Sequence, residues 1–394
     1  MPWREDLKFE HSKLVANKLW RERRIVDGQP GRLVSIDGNP FLNFCSNDYL
    51  GLANHPTLKL AATKAITQRG TSSSASHLVC GHSVEHHRLE EELARFVGSE
   101  SALVFSTGYM ANLAVPQTFL GRNDLVLEDR LNHASLIDAG RHCEARMKRY
   151  PHLDPEALAT QLARSDAPRK MVMTDGVFSM DGDIAPLNRM HEICQSHNAL
   201  LVVDDAHGFG VLGKHGSGTL ESAGLRPTGN VIMIGTFGKS AGSFGAFVAG
   251  DDCYIQSLIQ HARTYTYTTA LPPAVAATTT AAIKLFQSEP DRRANVLRNI
   301  EIFRDAVSRT ELKLLDSKTP IQPIVLGSSE SAIHASQLLA KNQILVSAIR
   351  TPTVPVGSAR LRITLTADHT PDDVKLITDV LGSEPMVRII KETQ

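Results

Sequence analysis

The sequence has no excess of either charge, no paired cysteines and no long apolar run, and each absence removes a class of function. Lysine and arginine (42) balance aspartate and glutamate (42). Sequence-independent binding to nucleic acid or to an anionic membrane draws on a basic excess, so neither is expected as a partner. The five cysteines, Cys45, Cys80, Cys143, Cys194 and Cys253, are odd in number, scattered, and never in a C-x-x-C pair. That spacing predicts reduced thiols rather than a disulfide framework or a structural zinc site, and hence a cytoplasmic protein with no metal. No apolar stretch approaches the roughly 20 residues that span a bilayer. The opening MPWREDLKFEHSK is too charged to hold the apolar core of a secretion signal. Internal repeats and low-complexity segments are absent too.

What is present is a 394-residue chain, 42% hydrophobic and 21% charged, long enough for two or three domains. Residues 5–24 read as an amphipathic helix with Leu7, Leu14 and Leu19 against a basic face, and RLVSIDGNPFLNF as a hairpin turning at Asp37–Gly38. After about residue 55, short apolar runs alternate with helical stretches such as HHRLEEELARFVG and PLNRMHEICQSHN. The runs are ALVFS (102–106), DLVLED (124–129), MVMT (171–174), LLVVDD (200–205) and VIMIGT (231–236). Strands that are apolar throughout are buried on both faces, so this alternation predicts a mainly parallel α/β sheet sandwiched by helices. Past residue 290 the pattern turns to α+β, with the strand IQPIVL, a helix from Ser331 and strands near 345–349 and 360–365. The division expected is an N-terminal arm (1–50), a large domain (51–285) and a C-terminal α+β domain (286–394).

Three short patterns are set aside. HSVEH (82–86) fits a zinc-protease signature with His82 and His86 as ligands and Glu85 as base, yet it reads better as the start of a solvated helix. GFGVLG (208–213) has dinucleotide-site spacing, but KHGSG follows where a helix must open, and Asp204 and Asp205 repel phosphates. GKS (238–240) resembles a P-loop, but Met233 stands where the required glycine belongs.

Ligands of parallel sheets bind at the carboxyl ends of the strands. There, VDDAHG (203–208) ends a strand in Asp204 with His207 three residues on, and TFGKS (236–240) ends the next in Thr236 and the glycine-flanked Lys239. Pyridoxal phosphate needs such a set: an amine to form a Schiff base with its aldehyde, and a carboxylate to keep the pyridine nitrogen protonated. STGYMANLA (106–114) puts Gly108 and Tyr109 at a strand-to-helix turn, where free N–H groups and the helix dipole favour a phosphate, with Thr236 as a further hydroxyl. LNHASL (131–136) sets His133 after another strand tip, suited to stacking on a planar ring. A divalent-metal site on Asp204, Asp205 and His207 competes with this reading, but it leaves Lys239 and the phosphate turn without a role.

NFCSNDYLGLANHP (43–56), LNHASLIDAG, TDGVFSMDGDIAPL (174–187), VDDAHGFGVLG and TFGK together resemble the α-oxoamine synthases, over about residues 2–382. The resemblance implies the fold-type I aminotransferase-like architecture, with pyridoxal 5′-phosphate as cofactor and a decarboxylative condensation of an amino acid with an acyl thioester. Lys239 is then the lysine that carries the cofactor, Asp204 the partner of the pyridine nitrogen, His207 with Ser179 a contact of the ring hydroxyl, and His133 the stacking ring. Gly108, Tyr109 and Thr236 hold the phosphate, and Thr268 and Thr269 reach the phosphate of the neighbouring subunit in a homodimer with shared sites. Arg362 binds the amino-acid carboxylate, which suits a guanidinium. Asn47, Arg21 and Thr353 line the substrate side. The tail AIRTPTVPVGSARLRITLTADHT (348–370) narrows the resemblance to the branch that joins L-alanine to a pimeloyl thioester, on coenzyme A or an acyl carrier protein. Departures are the glycine-poor TSSSASHLVCGH (71–82), Asp175 where a glutamate is common, and SAGSFGAF after Lys239.

Overall fold

The computed structural model describes residues 2–17 and 19–391. The chain divides into two compact units. The larger comprises residues 47–179 and 183–294, and the smaller, among the described residues, 2–17, 19–46, 180–182 and 295–391.

The larger unit is built on seven strands: β1 (Ser101–Phe105), β2 (Leu125–Asp129), β3 (Arg146–Tyr150), β4 (Lys170–Asp175), β5 (Ala199–Asp204), β6 (Val231–Thr236) and β7 (Ala246–Gly250). Their order is β1-β7-β6-β5-β4-β2-β3. Six strands run the same way, and β7 alone opposes both of its neighbours. The apolar runs are buried on both faces as their composition requires, with Leu103, Val126, Met171, Val202, Ile232 and Val248 in one cluster. β3 was not visible as a strand because RMKRY is charged. It is one of the two edge strands, and charge on an exposed edge keeps another chain from pairing there. Helices that bear on the site are α1 (Val84–Val97), α2 (Gly108–Phe119), α3 (Ala134–His142) and α4 (Pro273–Ser288).

The smaller unit carries two four-stranded sheets, one antiparallel and one mixed. Strands Leu33–Ile36 and Asn39–Asn43 form the hairpin, and both turn residues, Asp37 (φ 52°) and Gly38 (φ 78°), are left-handed, as a two-residue hairpin turn demands. Ile344–Leu345 pairs in parallel with Leu42–Asn43, the Thr364 N–H donates to the Phe44 carbonyl, and His369 stacks on Phe44. These contacts make the arm part of this unit rather than the separate segment expected. The second division falls at residues 294 and 295, inside the helix Pro290–Val307, rather than near 285. The first helix ends at Ala16, short of residue 24, with no residue buried along it.

Candidate active site

The parallel strands of the larger unit end along one edge of the sheet in Asp175 (β4), Asp204 (β5) and Thr236 (β6), with Lys239 three residues past the end of β6. The lysine loop is fixed on both sides. Phe237 is buried and stacks on Phe247 of β7, and the Gly242 N–H donates to the Lys239 carbonyl at 2.9 Å. Gly242 has φ +58°, and a Cβ there would fall 2.3 Å from the Ala53 nitrogen, so only glycine closes this turn.

Lys239 Nζ lies 2.8 Å from His207 Nε2, and His207 Nδ1 lies 2.7 Å from the Tyr49 hydroxyl. Tyr49 also donates to Asn47 Oδ1 at 3.2 Å, which links Asn47 to the lysine through two side chains. Asp204 is buried. Its Oδ2 accepts from Asn112 Nδ2 at 2.7 Å and its Oδ1 from the Ala206 N–H at 3.0 Å. Asn112 Nδ2 also donates to Ser135 Oγ, which meets His133 Nδ1 at 2.7 Å. The His133 N–H donates to Asp175 Oδ2 at 2.6 Å. Burial and the neighbouring Asp204 push Asp175 well above the usual carboxylate range. Burial lowers the His133 pKa, with Asp204 opposing and Lys239 assisting, so its ring is neutral at pH 7.

At the start of α2, Thr107 Oγ1 accepts from the Met110 N–H at 3.2 Å. The N–H groups of Gly108 and Tyr109 have no acceptor within a helix that begins there, and the helix dipole adds positive potential. A Cβ at Gly108 would meet nothing within 4 Å, so the turn faces open space.

These residues enclose a cavity of about 200 Å³. Of the residues expected from the sequence, Gly108, Tyr109, His133, Asp204, His207, Thr236 and Lys239 line it, and Asn112, Ser135 and Asp175 join them. Asp205 does not line it. Its buried Oδ2 accepts from the Thr219 N–H at 2.6 Å, and burial pushes its carboxyl up to about 7. Asp205 thereby ties down the loop that holds GFGVLG, whose glycines do not open a helix. Ser179, Thr268 and Thr269 belong to the same unit but are not among the lining residues. Thr269 instead bridges to Ser76. In the smaller unit, Arg21 Nη2 donates to Thr353 Oγ1 at 3.1 Å, and both line a second cavity of about 1120 Å³. Arg362 is buried in the strand Ala359–Thr364.

The donor set suits pyridoxal phosphate. Asp204 offers a carboxylate inside the cavity, Lys239 an amine, and the α2 turn an anion seat. The buried Asn112 Oδ1 lacks a hydrogen-bond partner beside that space.

A sequence profile described as "Aminotransferase class I and II" matches residues 39–381. An 8-amino-7-oxononanoate synthase from Cellvibrio japonicus is 52% identical over 371 residues, covering 94% of this chain and 93% of that one. One from Methylococcus capsulatus is 51% identical, covering 94% and 96%. Among solved structures, a serine palmitoyltransferase from S. paucimobilis with a bound PLP–myriocin aldimine superposes with a TM-score of 0.91 at 29% identity, covering 98% of this chain and 97% of that one. The α/β architecture expected from the strand pattern is thus the aminotransferase-like one, and the chain belongs to the class I and II aminotransferase family, among its 8-amino-7-oxononanoate synthases.

Proposed function

We propose that this chain catalyses the pyridoxal-phosphate-dependent condensation of L-alanine with a pimeloyl thioester, releasing carbon dioxide and the thiol and giving 8-amino-7-oxononanoate for biotin synthesis. The observation that carries the proposal is the meeting of Lys239, Asp204, His133 and the α2 turn around one cavity, in a chain about half identical to enzymes named for that product.

The cofactor, when bound, supplies a protonated aromatic ring that accepts the electron pair left on the amino acid by loss of a proton or of carbon dioxide. Asp204, buried and fixed by Asn112 and the Ala206 N–H, holds the proton on the ring nitrogen, since a close carboxylate favours the charged form. The neutral His133 ring, which lines the cavity, would hold the aromatic ring there. The Gly108 and Tyr109 N–H groups would take the phosphate, with Thr236, whose hydroxyl donates to the Gly245 carbonyl at 3.0 Å, beside the same cavity. His207, braced by Tyr49, positions the Lys239 amine. Lys239 removes the α-proton of alanine, and a C–C bond forms to the thioester carbonyl carbon while the C–S bond breaks. Loss of the alanine carboxylate as carbon dioxide follows, and Lys239 returns a proton to the same carbon. In the larger unit, Asn47 and Ser179 suit contacts to the substrate and the ring; in the smaller unit, the Arg362 guanidinium suits a carboxylate. Arg21 and Thr353 serve the acyl donor, in a cavity that Arg23, Arg24 and Arg350 make basic.

The enzyme acts in the cytoplasm as a homodimer, with Thr268 and Thr269 reaching the partner's phosphate site. Among the described residues, no helix is long and apolar enough to cross a membrane. The test is a kcat/KM comparison on the purified protein with cofactor: L-alanine plus pimeloyl-CoA against glycine plus succinyl-CoA, with the product identified by mass. Alanine with the pimeloyl donor is expected to be preferred by at least about a hundredfold. A preference for glycine and succinyl-CoA refutes the proposal.

A further inference from the structure

Asn112 and Ser135 line the cavity, and the chemistry described so far uses neither beyond the hold of Asn112 on Asp204. Both are buried. Asn112 lies on the second turn of α2 and Ser135 on the first turn of α3. With His133 they form a row of hydrogen bonds whose direction is fixed at one end by the Asp204 carboxylate.

A carboxylate offers only lone pairs, so the part of Asn112 that lies 2.7 Å from Asp204 Oδ2 is its NH2 group. The second hydrogen of that group goes to Ser135 Oγ, also at 2.7 Å. A hydroxyl has one hydrogen to give. With Asn112 donating to Ser135, that hydrogen goes to His133 Nδ1 at 2.7 Å. The Ser135 N–H points at the same nitrogen at 3.3 Å, which makes His133 the N-terminal cap of α3. A ring nitrogen that receives two donors carries a lone pair, so the one ring hydrogen sits on Nε2. Burial disfavours a second proton on the ring, and the positive end of the α3 dipole acts in the same sense, with Asp204 opposing.

The backbone fixes where this ring stands. The His133 N–H donates to Asp175 Oδ2 at 2.6 Å. The side chain of Asn132 donates to the Met173 carbonyl at 2.9 Å and accepts from the Asp175 N–H at 3.1 Å. His133 is thereby clamped between the end of β4 and the first turn of α3. Among the described residues, no group takes the Nε2 hydrogen, and the ring lines the cavity.

We propose that Ser135, oriented by Asn112, is a positioning residue that keeps the His133 hydrogen on Nε2 and presents it to the cavity. The proposal rests on the cofactor reading of this site. A hydrogen presented there donates to oxygen, which the substrates carry as a carboxylate and as the thioester carbonyl, whereas a lone pair would repel both. Asp204, which holds the ring-nitrogen proton, also sets the direction of the His133 donor through Asn112 and Ser135. One carboxylate therefore organises two separate contacts of the site. Ser135 itself acts only through His133.

The test uses the cofactor-loaded enzyme, with loading checked by the visible absorbance of the cofactor. Histidine rings are labelled with carbon-13 and nitrogen-15, and His133 is read by NMR against a His133→Gln control. The wild type is expected to show a neutral ring at pH 7 with its hydrogen on Nε2. In Ser135→Ala a proton arriving at Nδ1 no longer displaces the hydroxyl, so His133 is expected to bind it about tenfold more tightly, the effect of one hydrogen bond. The acidic limb of kcat/KM for L-alanine should move to higher pH with it. Ser135→Thr keeps the hydroxyl and is expected to titrate as the wild type does. A purely structural role for Ser135 would lower Tm and leave the titration of His133 where it was. The NMR signals need no substrate, so they are read whichever amino acid and thioester the enzyme prefers. The proposal is overturned if the wild-type ring is charged at pH 7 or carries its hydrogen on Nδ1. It is equally overturned if Ser135→Ala titrates as the wild type does, or if Ser135→Thr titrates as Ser135→Ala does.

Discussion

The two units place their functional side chains by different means. In the larger unit, the groups around Lys239 arrive on the ends of neighbouring parallel strands and on the first turns of the helices that follow. The strands that end in Asp175, Asp204 and Thr236 are each paired on both sides, so this part of the site inherits the rigidity of the sheet. In the smaller unit, the polar pairs join residues hundreds of positions apart. Arg21 meets Thr353, Arg32 pairs with Asp373 at 2.7 Å, and Arg360 pairs with Asp181. Chemistry is concentrated where strand ends coincide, and charge recognition is dispersed where long loops and an antiparallel sheet bring the chain together.

The sharpest way to break this comparison is at the lysine. Lys239→Ala is expected to lower turnover by roughly three orders of magnitude or more, with the circular dichroism spectrum and Tm unchanged. Turnover within tenfold of wild type moves the reactive amine elsewhere. Mixed with a Thr268→Ala/Thr269→Ala double variant under subunit exchange, it should regain activity above the sum of the two preparations. Exchange without recovery means that each site is built from one chain.

Asp204 and Asp205 are adjacent yet differ in environment. Asp204→Asn should slow deuterium exchange into L-alanine by roughly a hundredfold, because an amide does not hold the ring proton. Asp205→Ala should leave that exchange near wild type and cost about 1–3 kcal/mol of stability in urea, since the Thr219 N–H loses its acceptor. The reverse pattern would exchange the two roles.

In the smaller unit the effect should be confined to binding. Arg21→Ala is expected to raise KM for pimeloyl-CoA about tenfold with kcat little changed, as loss of one charged contact does. A fall in kcat with KM unaltered places Arg21 at the chemistry instead.

The smallest effect concerns pH. Burial works against the His152 imidazolium, but hydrogen bonds and charge from Asp129 (2.9 Å) and Asp183 (2.8 Å) prevail and raise its pKa to about 10. A raised histidine pKa stabilises the fold fully below the unfolded value near 6.5, and that stabilisation is lost as pH climbs toward 10. Urea midpoints should therefore fall between pH 7 and pH 10, and His152→Gln should flatten the slope. An unchanged slope in the variant removes His152 as its source.

Much of this site was legible because a parallel sheet writes its tips into the sequence in order. Apolar runs ending in Asp204, Thr236 and Lys239 announce both the strand and the edge where it stops. Asn112 was not legible as part of the site, although it lies one helical turn beyond Gly108 and so on the same face of α2. Tyr49 had no signal at all, because its partner His207 lies 158 residues away. β7 was missed because GAFVAG is short and joins the sheet antiparallel, outside the strand–helix rhythm. The motif HSVEH does open a helix, which Ser83 caps, but His86 is buried there rather than solvated. Its Nδ1 accepts the Ser83 N–H at 3.0 Å and its Nε2 meets the Leu271 carbonyl at 2.7 Å, so it has no nitrogen left for a metal.

By itself, then, the sequence determined the α/β architecture of the larger unit and the residues at its strand tips. Burial on both faces forces continuous apolar runs, and the carboxyl ends of such strands are where the chain must turn polar. Tertiary structure alone decided the division into two units, the removal of Asp205 from the cavity, the Tyr49–His207–Lys239 chain and the row that runs from Asp204 through Asn112 and Ser135 to His133. Each of these depends on contacts between segments whose separation along the chain carries no periodic signal, so only packing brings them within hydrogen-bond reach.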